Sequence, residues 1–123
     1  MQNQKSAIGL DGNITALLGY IIGIVAFVLI FIEKDNKFVR FHALQSVLWF
    51  VAYIVSIIAL MIVGGIVAVV LSQVSGTLGS IVGLLIGLLY FAVIIGFLGG
   101  LIFAAIKAYG GNQFKLPIVG NFA

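Results

Sequence analysis

The feature that most constrains this chain is a run of 64 residues, 43–106, without a single aspartate, glutamate, lysine or arginine. An ordinary soluble domain is about 25% charged, whereas this chain of 123 residues is 7% charged and 63% hydrophobic. A soluble fold of this size buries only about two-thirds of its surface and has no room for so much apolar area. The sequence therefore predicts an integral membrane protein, with residues 1–123 forming a single domain.

Three apolar runs divide the chain, at 14–32, 44–71 and 81–106. A helix needs about 20 apolar residues to cross a bilayer. In lipid only helices and closed barrels satisfy the backbone, and these runs lack the alternation of barrel strands. We therefore predict an all-α fold of three transmembrane helices, the first being a retained span and not a signal peptide. The predicted connections are an amphipathic cytoplasmic elbow at 33–43 and an interfacial tail at 107–123.

The cations predict the orientation in the cell membrane. Five of the six lie in the elbow and the tail: Lys34, Lys37, Arg40, Lys107 and Lys115. Because cytoplasmic loops carry an excess of lysine and arginine, we expect both segments inside the cell and the N-terminus, with Lys5, outside. The elbow cations Lys34, Lys37 and Arg40 fit anionic lipid headgroups; they are too few and scattered for nucleic acid.

The elbow and the residues after it read EKDNKFVRFHALQS, 33–46. Asn36 or Asp35 is expected to cap a helix that begins near Lys37. The polar residues of this stretch are interpreted as a recognition elbow: Glu33, Lys34, Asp35, Arg40, His42 and Gln45. For His42 two readings stay open, a ligand or proton-handling group and a headgroup-level histidine hydrogen-bonded to a neighbour. The tail contributes a second motif: Gly111, Lys115 and Pro117.

Two kinds of residue stripe indicate helix packing. The first kind consists of small residues four apart, chiefly glycines, which let helix backbones approach closely in lipid: Gly19 and Gly23 on the first span, Gly64 with Ala68 on the second, and Gly79, Gly83 and Gly87 on the third helix. They predict contact with another helix of this chain or of a partner; the alternative is that glycine is simply common in membrane helices. The second stripe lies on one face of the second helix: His42, Ser46, Trp49, Tyr53 and Ser56. It indicates a polar crevice or docking face, or merely aromatic anchors at the membrane interface.

No pattern of catalytic residues emerges from the sequence. It has no cysteine and no Ser/His/Asp arrangement, paired buried carboxylates or phosphate-binding loop. We therefore expect a protein that is not an enzyme and binds no cofactor or metal. The leading interpretation is a helix-packing assembly subunit or homo-oligomer, and the alternative is a channel or transporter.

Three stretches carry a family resemblance: GLDGNITALLGYIIG, EKDNKFVRFHALQS and YGGNQFKLPIVG. With them the chain resembles a widespread family of small, uncharacterised prokaryotic membrane proteins. That family is grouped, by distant similarity, with the small integral subunit of the chloroplast inner-envelope protein import translocon (Tic translocon). The resemblance implies a protein-translocation component as one form of the transport alternative. The import subunit has four spans, whereas the three predicted here put the two termini on opposite sides. The pattern maps onto Glu33, Lys34, Asp35, Arg40, Phe41, His42, Ala43, Gln45, Gly111, Lys115, Leu116 and Pro117.

Overall fold

The structure of the chain, a computed structural model, describes residues 4–123 and is built of helices. Residues 1–3 of the predicted domain lie outside the described part. The four α-helices are α1 (Gly12–Ile21), α2 (Gly23–Ile32), α3 (Lys37–Val74) and α4 (Gly76–Tyr109). A short 3₁₀ helix, Val119–Asn121, follows in the tail. The predicted all-α class is confirmed.

The chain falls into two compact units. Unit 1 combines Met1–Val51, described from residue 4 onward, with Leu98–Ala123, and unit 2 is Ala52–Phe97. Unit 1 holds α1, α2, the start of α3, the end of α4 and the tail. Unit 2 holds the remaining parts of α3 and α4. That residues 1–123 form a single membrane domain stays a prediction.

The expected continuous helix over 14–32 is wrong, because the chain breaks at Ile22. Ile22 has φ −116° and ψ 99°, an extended conformation that ends α1 and precedes α2. The Ile22 amide donates to Leu18 O (2.8 Å), and its carbonyl accepts from Val25 N (3.0 Å). Each helix has only ten residues, about 15 Å at the usual rise, so neither crosses a bilayer alone.

The two short helices pack against each other as an antiparallel hairpin. A Cβ placed on Gly19 would lie 3.8 Å from Ala26 Cβ, whereas residues seven apart in a straight helix are separated by about 10 Å. At the open end, the Ala7 amide donates to the carboxylate of Glu33. The chain therefore enters and leaves this hairpin at the same end.

The start of α3 agrees with the predicted helix start near Lys37. Asn36 Oδ1 accepts hydrogen bonds from the amides of Phe38 (3.1 Å) and Val39 (3.3 Å). A side-chain acceptor at this position satisfies first-turn amides that have no partner in the helix. The N-terminal cap of α3 is therefore Asn36 and not Asp35. The predicted elbow, 33–43, becomes a short extended connection followed by the first turns of α3.

This choice predicts different effects for two neighbouring substitutions. Asn36 is fully buried and also donates to Gln4 O (3.0 Å), whereas Asp35 is exposed. Loss of a cap costs about 1 kcal/mol, and a buried polar group left unpaired costs about 1–3 kcal/mol more. We expect Asn36→Ala to lower the free energy of unfolding in detergent by about 2–3 kcal/mol. Asp35→Ala, the matched control, should change it by less than about 0.5 kcal/mol; equal effects would contradict this assignment.

A glycine pair, Gly110 and Gly111, follows the last residue of α4. Gly111 has φ +85°, a left-handed conformation that glycine adopts without a steric penalty. The Gly111 amide donates to Ala108 O (3.0 Å) and the Asn112 amide to Lys107 O (2.9 Å). This pair of bonds is the Schellman motif. It turns the chain into the tail and directs it back over unit 1.

Unit 2 is a pair of packed apolar helices. Tyr53 stacks on Phe97 with ring centroids 4.5 Å apart, and Gly64 of α3 lies against Ile86 of α4. By length and composition α3 and α4 can each cross a membrane. They contain the predicted spans 44–71 and 81–106 and extend beyond both.

Candidate functional site

The most distinctive site in unit 1 is a buried polar cluster, which we define as Tyr20 of α1 with His42, Gln45 and Ser46 of α3. The exposed fractions of these side chains are 1%, 0%, 0% and 4%. Buried polar groups need hydrogen-bond partners, and no buried side-chain nitrogen or oxygen of residues 4–123 lacks one. The cluster is thus fully satisfied.

The geometry fixes how His42 is hydrogen-bonded. His42 Nε2 lies 3.0 Å from the carbonyl oxygen of Asn112, which can only accept, so Nε2 carries a proton and donates. In the neutral ring Nδ1 is then an acceptor, and the hydroxyl of Tyr20, 2.5 Å away, donates to it. His42 therefore bridges α1 and the tail.

Gln45 uses both ends of its amide group. Its Nε2 donates to the Tyr20 hydroxyl (2.7 Å) and to Phe114 O (2.9 Å). Its Oε1 accepts from the amide of Leu116 (2.8 Å). One side chain therefore holds α1 and two backbone groups of the tail. Since an unpaired buried polar group costs far more than a satisfied one gains, the tail position depends strongly on Gln45.

At two further positions, α1 and the tail lie close against α3. Ser46 Oγ donates to Gly19 O (2.8 Å). A Cβ on Gly120 would lie 2.6 Å from Lys115 Cβ and 2.9 Å from Gln45 Oε1. The closeness of these atoms means that only glycine fits at position 120.

A second polar group holds the elbow and the hairpin base. Glu33, 2% exposed, accepts from the amides of Ala7 and Asn36. Arg40 Nη1 donates to the carbonyls of Ile30 (2.8 Å) and Glu33 (3.2 Å). A cation at the last carbonyls of a helix is electrostatically favourable. Arg40 thereby caps the end of α2.

The predicted recognition elbow is therefore largely internal. Glu33, His42 and Gln45 are buried, and Arg40 is half-buried. Only Lys34 and Asp35 are exposed among the six residues. That the elbow serves recognition stays a prediction, but the buried members are available for holding the fold and not for surface contact.

The tail motif takes part in the same architecture. Gly111 forms the turn after α4, and Leu116, next to Lys115, is buried with its amide on Gln45. Lys115 and Pro117 are exposed. The structure thus brings the tail motif and the elbow motif, about 70 residues apart in sequence, into one hydrogen-bonded group.

The predicted packing glycines have different surroundings. Gly19 contacts α2, Gly64 contacts Ile86, and a Cβ on Gly79 would lie 2.8 Å from Ser72 Cβ. For three others an added Cβ would meet nothing within 4 Å: Gly23, Gly83 and Gly87. Half of the predicted set therefore packs within the chain, and half is open.

Within residues 4–123, no three His, Cys, Asp or Glu side chains converge on a possible metal position. The expectation that the protein binds no metal or cofactor stays a prediction.

Comparison with known proteins shows the family. Residues 5–123 match the model of the MamF_MmsF family, described as the magnetosome magnetite crystal formation protein family. The chain belongs to this family. It is 36% identical to a UPF0132 membrane protein of Methanocaldococcus jannaschii, over 97% of this chain and 91% of that protein. A UPF0132 membrane protein of Archaeoglobus fulgidus is 31% identical, over 90% of each chain.

A second Methanocaldococcus jannaschii relative, also a UPF0132 membrane protein, is 30% identical over 95% of this chain and 71% of its own length. No solved structure matches the chain. The curated relatives are named as membrane proteins, and α3 and α4 are long and apolar. This family member is therefore a membrane protein, while its grouping with the chloroplast import subunit stays a prediction.

Tyr20 is the site residue that sequence reasoning missed. It lies in the middle of an apolar run, where a tyrosine is ordinarily taken as one more large side chain. The signal that could have identified it is its hydroxyl, because a buried tyrosine usually has a hydrogen-bond partner. His42 and Gln45, at the start of the next apolar run, were the candidate partners.

Proposed function

We propose that this protein is a non-enzymatic membrane assembly protein, which packs against a helix of another molecule through an open glycine face on α4. This face is defined by Gly83 and Gly87. The observation that carries the proposal is the open space beside both glycines. The proposed partner is a second copy of the chain or the helix of a larger assembly.

Gly64 and Gly79, which pack within unit 2, differ from the two open glycines. A Cβ on Gly64 would lie 3.2 Å from Ile86, and one on Gly79 would overlap Ser72. These two positions need glycine for the contact between α3 and α4. Within residues 4–123, a Cβ on Gly83 or Gly87 would meet nothing within 4 Å, although both continue the four-residue spacing that begins at Gly79.

Glycine destabilises the helix that contains it. In water a glycine within a helix is less favourable than alanine by about 1 kcal/mol, and helix association in lipid relies on close backbone approach at small residues. Leu84 and Leu88, beside the glycines, are 68% and 58% exposed. A facing helix would cover these leucines and approach the backbone at Gly83 and Gly87.

The double variant Gly83→Leu/Gly87→Leu tests this proposal. We expect the wild-type protein to run in a mild detergent as an assembly larger than 13.0 kDa. The leucines would separate the facing backbones, so the double variant should shift to the monomer mass. Native mass spectrometry measures both. The matched control is Gly65→Leu/Gly96→Leu, at two glycines that are also open but lie on different helices and do not share the four-residue spacing.

Loss of assembly in the control as well would show a general effect of added bulk and contradict a specific glycine face. A wild-type protein that is monomeric at all concentrations, with no bound partner, would contradict the assembly proposal itself. Retention of the far-ultraviolet helical spectrum in both double variants is needed to read the masses as assembly effects.

The transport alternative, including the role implied by the chloroplast import resemblance, stays a prediction. In unit 2 the hydroxyls of Ser56 and Ser72 donate to carbonyls of their own helix, at 2.8 and 2.7 Å. The family description concerns magnetite formation. The function proposed for this chain is assembly within the membrane.

A further inference from the structure

We propose that the hairpin of α1 and α2 inserts into a single leaflet of the bilayer and returns to the face it came from. The exposed surface of the hairpin contacts the acyl chains of that leaflet. This inference concerns unit 1 and does not depend on the glycine face of α4. It replaces the first transmembrane crossing expected from the sequence.

Contacts along α3 fix the direction of both hairpin helices. At the base, Asn13 Nδ2 donates to Tyr109 O at the end of α4 (3.0 Å), and Arg40 bonds to Ile30 O. Farther along α3, Ser46 bonds to Gly19 O. α1 therefore runs beside the start of α3 in the same direction, and α2 returns toward the base.

The depth of the hairpin in the bilayer follows from the positions of these contacts along α3. Ser46 comes nine residues after Lys37, or roughly 14 Å along α3. The hydrocarbon core of a bilayer is about 30 Å thick. With the charged base at the headgroups, the tip at Ile22 reaches about the middle of the bilayer and no farther.

The outer surface of the hairpin matches acyl chains. Four apolar side chains on and near α2 are among the most exposed of unit 1: Ile21 (63%), Ile24 (77%), Phe27 (57%) and Phe31 (64%). Ile24, Phe27 and Phe31 follow the three- and four-residue spacing of one helix face. Phe27 and Phe31 also contact each other edge to face, with centroids 5.4 Å apart. This is a continuous apolar face without polar groups.

The base of the hairpin matches lipid headgroups. Lys34 and Lys37 are exposed there, and Lys5 pairs with Asp11 (2.8 Å). Exposed lysines near a membrane are attracted to anionic headgroup phosphates. The tip is apolar and the base is charged, which is the pattern that a single leaflet complements. A partner protein would have to supply the same gradient over the same distance.

The charge count across the membrane supports the same topology. With one full crossing at 14–32, Lys5 is on the opposite side from the other cations. With a hairpin that returns, all six lysine and arginine residues lie on the face shared by the base, the elbow and the tail. The excess of cations at the cytoplasmic side is then six to none, and both termini are cytoplasmic.

Single-cysteine labelling tests the inference, since the chain has no native cysteine. Ile8→Cys, Ile22→Cys and Phe122→Cys alter exposed positions, and Ser75→Cys marks the turn between α3 and α4. In sealed vesicles of uniform orientation, a membrane-impermeant maleimide should label Ile8→Cys and Phe122→Cys from the same face. Ser75→Cys should label from the other face, and Ile22→Cys from neither.

A depth measurement identifies the partner as lipid. Bimane attached at Ile24→Cys should be quenched several-fold more strongly than bimane at Ile8→Cys in vesicles of acyl-brominated phosphatidylcholine and phosphatidylglycerol. Labelling of Ile8→Cys from the face of Ser75→Cys would show a full crossing and overturn the inference. Aqueous labelling of Ile22→Cys would place the hairpin outside the bilayer, and absent quenching at Ile24→Cys would show a protein cover; either result also overturns it.

Discussion

Replacing Gln45 by leucine is expected to lower the stability of this protein more than any other single side-chain exchange considered for it. Leucine has a similar size but leaves Phe114 O and the amide of Leu116 without their partner, and it removes one of the two hydrogen bonds of the Tyr20 hydroxyl. Each unpaired buried group costs about 1–3 kcal/mol. We expect a loss of about 3 kcal/mol or more, or a fall in Tm of roughly 10 °C in detergent.

The effect should appear first in the tail, because Gln45 holds two of its backbone groups. Limited trypsin cleavage after the exposed Lys115 should therefore become several-fold faster in Gln45→Leu. Gln113→Leu is the matched control, since Gln113 is exposed beside the same segment. Unchanged Tm and unchanged cleavage in Gln45→Leu would contradict the assignment of this residue as the link between α1, α3 and the tail.

Replacing Gly120 by alanine has the second large expected effect, for a steric reason. The new methyl group would lie 2.6 Å from Lys115 Cβ and 2.8 Å from Lys115 Cα, distances well inside van der Waals contact. The backbone would have to shift, and the hydrogen bond between Gln45 Oε1 and Leu116 N would be strained. Overpacking of this kind costs about 1–3 kcal/mol, measured as a lower Tm and as faster cleavage after Lys115.

Gly96→Ala provides the control for Gly120→Ala. A Cβ at Gly96 would meet nothing within 4 Å, so this variant should keep its stability or gain slightly. A Gly120→Ala protein as stable as the Gly96→Ala protein would show that the tail does not pack as described.

The start of α3 and the end of α4 were predictable because their signals are local. Asn36 before Lys37 and the glycine pair after Tyr109 act within one turn of a helix end, so short-range chemistry determines both boundaries. The length of the uncharged run likewise predicted the membrane class. These parts of the fold depend on residues adjacent in sequence.

The break at Ile22 was not predictable from the same reasoning. A run of nineteen mostly apolar residues without proline predicts one helix, and nothing in Ile21 or Ile22 favours a turn. The break is stabilised by contacts distant in sequence, above all Tyr20 with His42 and Gln45, and Ser46 with Gly19. The small residues Gly19 and Gly23 were the available signal, but they were interpreted as a strip for packing against a different helix.

The recognition elbow shows the same limit at the candidate site. Its polar residues were singled out because polar groups in so apolar a chain need an explanation. Their burial depends on the hairpin and on the tail, which the sequence alone did not place beside them. The sequence therefore placed His42 and Gln45 on a recognition surface, whereas in the structure both are buried and hydrogen-bonded to α1 and the tail.

The most direct test of the proposed assembly function is the mass and composition of the protein extracted untagged from its native membrane in a mild detergent. The account predicts a homogeneous complex, either a multiple of 13.0 kDa or this chain in fixed ratio with one other membrane protein. A 13.0 kDa monomer without a companion, under conditions that leave other membrane complexes intact, would contradict it.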